Sequence, residues 1–76
     1  MYGYFLVNKN GEYLKEEDTA NSKLEFTTDV SEAMNYEGMP GGGEWFSRME
    51  RDRIARLYKN EYGDRATSLI STYVQW

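Results

Sequence analysis

The hydrophobic and polar positions of the first third of the chain predict short β-strands. Residues 2–7 form an aromatic and β-branched run, residues 9–12 contain an Asn-Gly turn, and residues 13–15 form a second short run. This order is typical of a β-hairpin. Residues 24–27 have the same character, which predicts a third strand. Because both faces of the first run carry apolar or aromatic side chains, we expect it to be a central strand.

Two helical segments follow. Asp29 and Glu32 have the spacing of a capping box, and Val30, Ala33 and Met34 share one face of a short helix. The glycine-rich residues 37–43 then separate this helix from the longest helical segment, residues 44–62. Gly63 follows that segment directly, where helices commonly end on glycine.

The long helix has an apolar face that is expected to pack on the sheet, since four of its apolar residues recur at helical spacing. Glu50 and Arg53 lie within the same stripe, three residues apart, and are predicted to pair. Residues 66–76 alternate and are rich in β-branched and aromatic side chains, which predicts a final strand. The side chains expected to form the core are Phe5, Val7, Leu14, Phe26, Ile54 and Leu57.

These elements predict one small α+β domain over residues 1–76, with an antiparallel sheet of about four strands. The order of elements is β-β-β-α-α-β, with the longer helix packed on the sheet. A chain of this length buries only about 60% of its unfolded surface, and it has no cysteine for disulfides. Aromatic residues, 16% of the chain, supply bulk instead. Homodimerisation is an alternative source of stability that stays open.

Composition restricts the chemistry. Without His or Cys, the commonest general base and the strongest thiol nucleophile are absent, so we predict no catalytic residues, no metal and no cofactor. Eight of the 13 acids and only three of the nine bases lie in residues 1–43. This balance differs from the basic footprint of a nucleic-acid binder, so direct nucleic-acid binding is not expected. No secretion signal or apolar run of membrane-spanning length is evident, and we expect a soluble cytoplasmic protein.

Three groups of side chains are candidates for binding a partner, and each also has an ordinary structural explanation. The tyrosines of the hairpin would line one of its faces, either as core or as an aromatic platform. The acids of a polar loop over residues 16–22, with no ordered role in the core, would meet a basic protein surface or remain solvated. Two arginines would form an exposed basic stripe with Lys59 and Tyr62. These candidates are Tyr2, Tyr4, Tyr13, Glu16, Glu17, Asp18, Arg48 and Arg51.

The order of motifs in residues 2–34 resembles small uncharacterised proteins of bacteriophages and prophages. The resemblance lies in Tyr4-Phe5-Leu6-Val7, Gly11-Glu12-Tyr13-Leu14, Phe26-Thr27-Thr28-Asp29 and Ala33. It implies a setting in which small acidic proteins bind and disable a bacterial enzyme or defence complex, as anti-CRISPR proteins do. It assigns no role to any residue.

We therefore expect an interaction protein that inhibits a bacterial host or defence protein in the cytoplasm of the host cell. A nucleic-acid-binding effector, which has a basic surface, is one such target. The alternative is a small-molecule or nucleotide-binding module, dimeric in one version, that uses the tyrosines and the helix arginines.

Overall fold

A four-stranded antiparallel sheet forms the centre of the molecule, and one long helix packs across one of its faces. The computed structural model describes residues 1–76. The elements are β1 (Tyr2–Val7), β2 (Tyr13–Asp18), β3 (Lys23–Thr27), a 3₁₀ turn (Val30–Glu32), α1 (Gly43–Tyr62), α2 (Asp64–Thr67) and β4 (Ile70–Gln75). The strand order is β3-β2-β1-β4, which confirms the predicted α+β class and the central position of the first strand.

The hairpin turn between β1 and β2 has a three-residue loop. The Asn8 amide donates to the Glu12 carbonyl (2.9 Å), and the Gly11 amide donates to the Asn8 carbonyl (3.0 Å). Gly11 has a φ of 78°, a conformation that favours glycine. The Asn8 side-chain oxygen accepts hydrogen bonds from the main-chain amides of Asn10 and Glu12, and its nitrogen donates to the Glu12 carboxylate, so this buried side chain is satisfied.

Beyond the turn, β1 and β2 separate, and their register includes only the pair Val7 and Tyr13. Residues 34–36 bridge the gap: the Met34 amide donates to Leu14 of β2 (3.1 Å) and the Tyr36 amide to Tyr4 of β1 (2.9 Å). A Cβ on Gly3 would lie 2.0 Å from the Asn35 side chain. Gly3 therefore allows this segment, named here the wedge (residues 34–36), to approach β1 closely.

A β-bulge at Lys15 sets the direction of the side chains in β2. Leu14 pairs with Phe26 but Glu16 pairs with Glu25, so Lys15 is the extra residue. As a result Leu14 and Glu17 both face α1, although they lie three positions apart, where an unbroken strand would turn them to opposite faces. The strand continues to Asp18, and the predicted polar loop is reduced to residues 19–22.

The buried face of α1 differs from the predicted one. Leu57 is 61% exposed, so its placement in the core was wrong. Small residues explain the difference: Gly43 lies against the Tyr4 ring, and Ser47 shares a hydrogen bond with Ser71 of β4. These residues let α1 approach the sheet closely but carry no hydrophobic signal. The cluster of buried core residues comprises Leu6, Leu14, Leu24, Tyr36, Ile54, Tyr58, Ala66 and Leu69.

Of the other residues predicted in the core, some are buried and some are not. Phe5, Leu14 and Ile54 are fully buried, as predicted, although Phe5 lies on the face of the sheet away from α1. Val7 and Phe26 are only half-buried. None of the helices combines the length and the apolar composition that a membrane span requires.

The segments on either side of α1 also differ from expectation. The first predicted helix is a single 3₁₀ turn, in which Asp29 accepts the Ser31 amide and Glu32 accepts the Thr27 hydroxyl, so no capping box forms. Gly63 ends α1 as predicted, and its amide donates to Lys59. The unpredicted α2 then occupies residues 64–67, so the last strand begins at Ile70.

Candidate functional site

The face of the sheet turned away from α1 is not covered by any helix and is named here the open face. Its β1–β4 half is apolar. Phe5 is buried there beneath the rings of Tyr13 and Trp76, whose centroids lie 6.0 and 5.4 Å from its own. Ile70 is 60% exposed and Trp76 is 42% exposed. The apolar half comprises Phe5, Val7, Ile70, Thr72, Val74 and Trp76, together with Tyr13, which lies at the start of β2 and pairs with Val7.

A shallow cavity of about 470 Å³ adjoins this apolar half. It lies between the β1–β2 turn, the residues after α2 and the start of β4, and its lining includes Val7 and Ile70. The Lys9 amide donates to the Ser68 hydroxyl (2.9 Å), which fastens the turn to the end of α2. The cavity therefore extends the apolar surface towards the turn.

The β2–β3 half of the open face is acidic. Glu16 and Glu25 are exposed and lie directly opposite each other on neighbouring strands. Like charges in this position destabilise a sheet. Beside them, Asp18 lies opposite Lys23 in the strand register. Hydrogen bonds from Asn21 hold the pKa of Asp18 below its usual range. Two of the three predicted acids, Glu16 and Asp18, therefore lie on the open face.

The third predicted acid, Glu17, points the other way and joins an ion-pair cluster under α1. Its carboxylate accepts hydrogen bonds from Arg53 Nη1 (3.0 Å), Arg53 Nη2 and Tyr58 Oη (2.8 Å). Arg53 Nε also donates to Glu50 (2.7 Å), which confirms the predicted pair within α1. The Glu17 side chain is only 11% exposed, so the expectation that residues 16–18 have no ordered role was wrong for Glu17.

Titration of this cluster follows from its contacts. Hydrogen bonds from Arg53, supported by that from Tyr58, hold the pKa of Glu17 below its usual range. Burial and the hydrogen bond to Glu17 raise the pKa of Tyr58 to about 12. Both groups therefore keep one protonation state at neutral pH, and the cluster ties β2 to α1.

The predicted tyrosines do not lie on one face. Tyr2 and Tyr4 lie on the α1 side, where their ring centroids are 6.1 and 5.3 Å from that of Tyr73 of β4. Tyr13 lies on the open face, because its pairing with Val7 gives it the direction of the odd-numbered β1 residues. Tyr73 was not among the predicted binding residues, although the alternation of β4 places it beside Tyr4.

Both arginines of the predicted basic stripe on α1 form ion pairs within the chain. Arg48 pairs with Glu44 (2.9 Å) and Arg51 with Asp52 (3.1 Å). Tyr62 does not belong to the stripe, because its hydroxyl turns inward and accepts the Leu24 amide (2.9 Å).

The open face thus contains both predicted partner-binding residues and exposed apolar residues that were not among the predicted ones. It carries the predicted Tyr13, Glu16 and Asp18 as well as the exposed Ile70 and Trp76. No group of three or more acidic side chains is arranged to hold a metal ion. Comparison with protein-family models, with curated proteins and with solved structures finds no match to this chain.

Proposed function

We propose that this chain is an interaction protein that binds another protein through its open face. The exposed apolar surface around Ile70 and Trp76 is the observation that supports this function. Single exposed apolar residues are common, but a contiguous group with aromatic members is typical of contact sites. The resemblance of residues 2–34 to phage accessory proteins suggests the setting, in which the target is a bacterial host or defence protein that the chain inhibits in the cytoplasm.

The two halves of the open face suggest the chemistry of the target. Its apolar half favours an apolar patch on the partner, and the adjoining Glu16, Glu25 and Asp18 favour basic side chains. A cation from the partner would relieve the repulsion between Glu16 and Glu25, which the isolated chain leaves in place. A nucleic-acid-binding effector offers such a basic surface.

The test compares two apolar residues of almost equal exposure on opposite sides of the molecule. Ile70→Asp changes the open face, and Leu57→Asp is the matched control on α1, since these side chains are 60% and 61% exposed. Wild type identifies the target by capture from bacterial lysate, and the purified target is then titrated with each variant. We expect Ile70→Asp to weaken binding strongly and Leu57→Asp to leave it unchanged. The reverse result would refute the open face as the site.

Salt tests the acidic half separately. With Glu16→Gln and Glu25→Gln combined, association with the target should slow and depend less on ionic strength, because the opposing charges that steer the encounter are removed. Stability should not fall, because the change removes a like-charged pair. Association that is equally fast at low and high salt in wild type would contradict a basic target.

A small-molecule-binding function is the second candidate, and the cavity beside Ile70 favours it. Its volume of about 470 Å³ falls within the range of ligand pockets. Mass spectrometry of the purified chain before and after denaturation tests this function. A compound released in stoichiometric amount supports a ligand site, and its loss in a variant that fills the cavity, Thr72→Trp, would locate the compound there.

A further inference from the structure

We propose that the outer edge of β4 pairs with β4 of a second copy, which gives a homodimer with one continuous eight-stranded sheet. The edge of β4 is separate from the open face, so this dimer does not depend on the proposed target. The direction of the main-chain groups of β4, its side chains and the contrast with the opposite edge all favour the pairing.

The main-chain groups of β4 alternate between β1 and solvent. The Trp76 amide donates to the Met1 carbonyl (2.9 Å), which makes this a hydrogen-bonded pair. Hydrogen-bonded and non-bonded pairs alternate along an antiparallel ladder, so residues 70, 72 and 74 also bond to β1. The N–H and C=O groups of Ser71, Tyr73 and Gln75 therefore point outward at the edge of the sheet.

The side chains of β4 carry none of the usual protections of an edge strand. Proteins protect edges with charged residues, proline, bulges or a covering segment. β4 has the sequence Ile-Ser-Thr-Tyr-Val-Gln, without charge, proline or glycine, and its partner register with β1 is unbroken over six residues. The opposite edge, β3, is protected by Lys23 and Glu25 and pairs with a bulged strand.

The absence of charge is what favours a second copy as the occupant. A twofold axis places each side chain near its own counterpart, so a charged edge repels itself, whereas β4 does not. Only an axis through Tyr73 uses every outward main-chain group, because it pairs Ser71 with Gln75 and Tyr73 with itself. Tyr73 is 49% exposed and already contacts Tyr2 and Tyr4, so the dimer would join two aromatic clusters.

This geometry determines the shape of the dimer. Antiparallel pairing about an axis perpendicular to the sheet leaves both α1 helices on one side and both open faces on the other. Thr72 of each copy lies opposite Val74 of the other, so the two apolar halves become neighbours. A dimer of this kind doubles the open face without covering it.

Analytical ultracentrifugation from micromolar to millimolar concentration tests the pairing. We expect wild type to move from the 8.9 kDa chain towards twice that mass. Tyr73→Lys places two like charges at the axis and should raise the dimer dissociation constant about tenfold or more. Gln75→Pro removes one outward N–H, leaves the bonds to β1 in place, and should act in the same direction.

Tyr2→Lys is the matched control, since it removes the same ring contact with Tyr73 from a strand inside the sheet. It should dimerise like wild type. In a mixture of labelled and unlabelled chains, nuclear Overhauser contacts between Hα of Thr72 and Hα of Val74 should cross between copies. The proposal would be overturned if the chain stayed monomeric at millimolar concentration, or if the dimer persisted in both edge variants. It would also be overturned if the outward amides of β4 were protected from hydrogen exchange only when the target is bound.

Discussion

The two halves of the sheet solve the same structural problem with different chemistry. The β2–β3 half is rich in charge and is fixed to α1 by ionic and polar contacts, from Glu17 to Arg53 and from the Tyr62 hydroxyl to Leu24. The β1–β4 half is nearly uncharged and meets α1 through close contacts at Gly43 and Ser47. One half thus ends in a protected edge, and the other in an exposed apolar face and an open edge.

This difference shows how a small chain divides its surface between folding and binding. Charge on the β2–β3 half stabilises the docking of α1 and discourages pairing at β3. The β1–β4 half lacks that protection, and Ile70 and Trp76 are exposed on its open face. Surfaces on which a protein leaves apolar groups and main-chain donors uncovered are those on which a partner gains most from contact.

The largest expected effect on stability comes from Ile54 of α1, which packs against both halves of the sheet. Ile54 belongs to the core cluster with Leu6 of β1 and Leu14 of β2, so Ile54→Ala should lower the free energy of unfolding by about 2–5 kcal/mol. Leu57→Ala is the control and should change it by only about 0.5 kcal/mol, because Leu57 is exposed. Urea denaturation followed by amide NMR in each half measures both. If the halves unfolded separately, they would not share one core.

A smaller loss should follow from Glu17→Gln, which breaks the charged contact on the β2–β3 half. Hydrogen bonds to charged groups contribute about 1.5–3 kcal/mol, and because Arg53 is partly exposed we expect about 1–2 kcal/mol. Glu16→Gln is the adjacent control and should be neutral or slightly stabilising, since it relieves the repulsion with Glu25. Urea denaturation measures the free energy of unfolding of both variants. Equal losses would show that the bulge at Lys15 does not give Glu16 and Glu17 different roles.

The same contact predicts how stability depends on pH. The folded pKa of Glu17 lies below its unfolded value, so its contribution is fully present above the ordinary glutamate range. It is lost progressively as the pH falls below that range and through the folded pKa. Glu12 behaves alike, because hydrogen bonds from Asn8 and Arg65 lower its pKa. Wild type should therefore lose more stability on acidification than Glu17→Gln, as thermal unfolding at stepped pH would show. Parallel curves would contradict this role of Glu17.

The smallest effect on stability is expected from substitutions on the exposed surface of α1, away from both halves of the sheet. Arg48→Ala with Arg51→Ala removes two exposed pairs within the chain and should change stability by about 0.5 kcal/mol or less. Binding to the target should be unaffected, as measured in the titration designed for Ile70→Asp. Weaker binding would place the basic stripe in the contact surface and extend the site beyond the open face.

Local patterns were sufficient to predict the elements whose signals are themselves local. β-branched and aromatic runs located β1 and β3, Gly63 marked the end of α1, and the spacing of Glu50 and Arg53 predicted their pair. The α+β class followed from the order of these elements. Each of these features depends on neighbours within a few positions along the chain.

The predictions that were wrong or missing share a different cause, because these features depend on contacts between segments that are distant along the chain. The bulge at Lys15 has no local signature, so the inward direction of Glu17 was not predicted. The buried face of α1 was misplaced because Gly43 and Ser47 pack closely without being hydrophobic. Tyr36 was missed altogether, although its ring is fully buried beside Phe46, because the wedge depends on the separation of β1 from β2.

The wedge also has a consequence for the order of folding. Because β1 and β2 share so little register, their hairpin is a poor nucleus, and most of the pairing of β1 is with β4. That pairing joins Tyr2 to Gln75, so it must close a loop of nearly the whole chain before it contributes. Contacts of such long sequence separation slow folding. During synthesis, β1 therefore cannot complete its main pairing until β4 has left the ribosome.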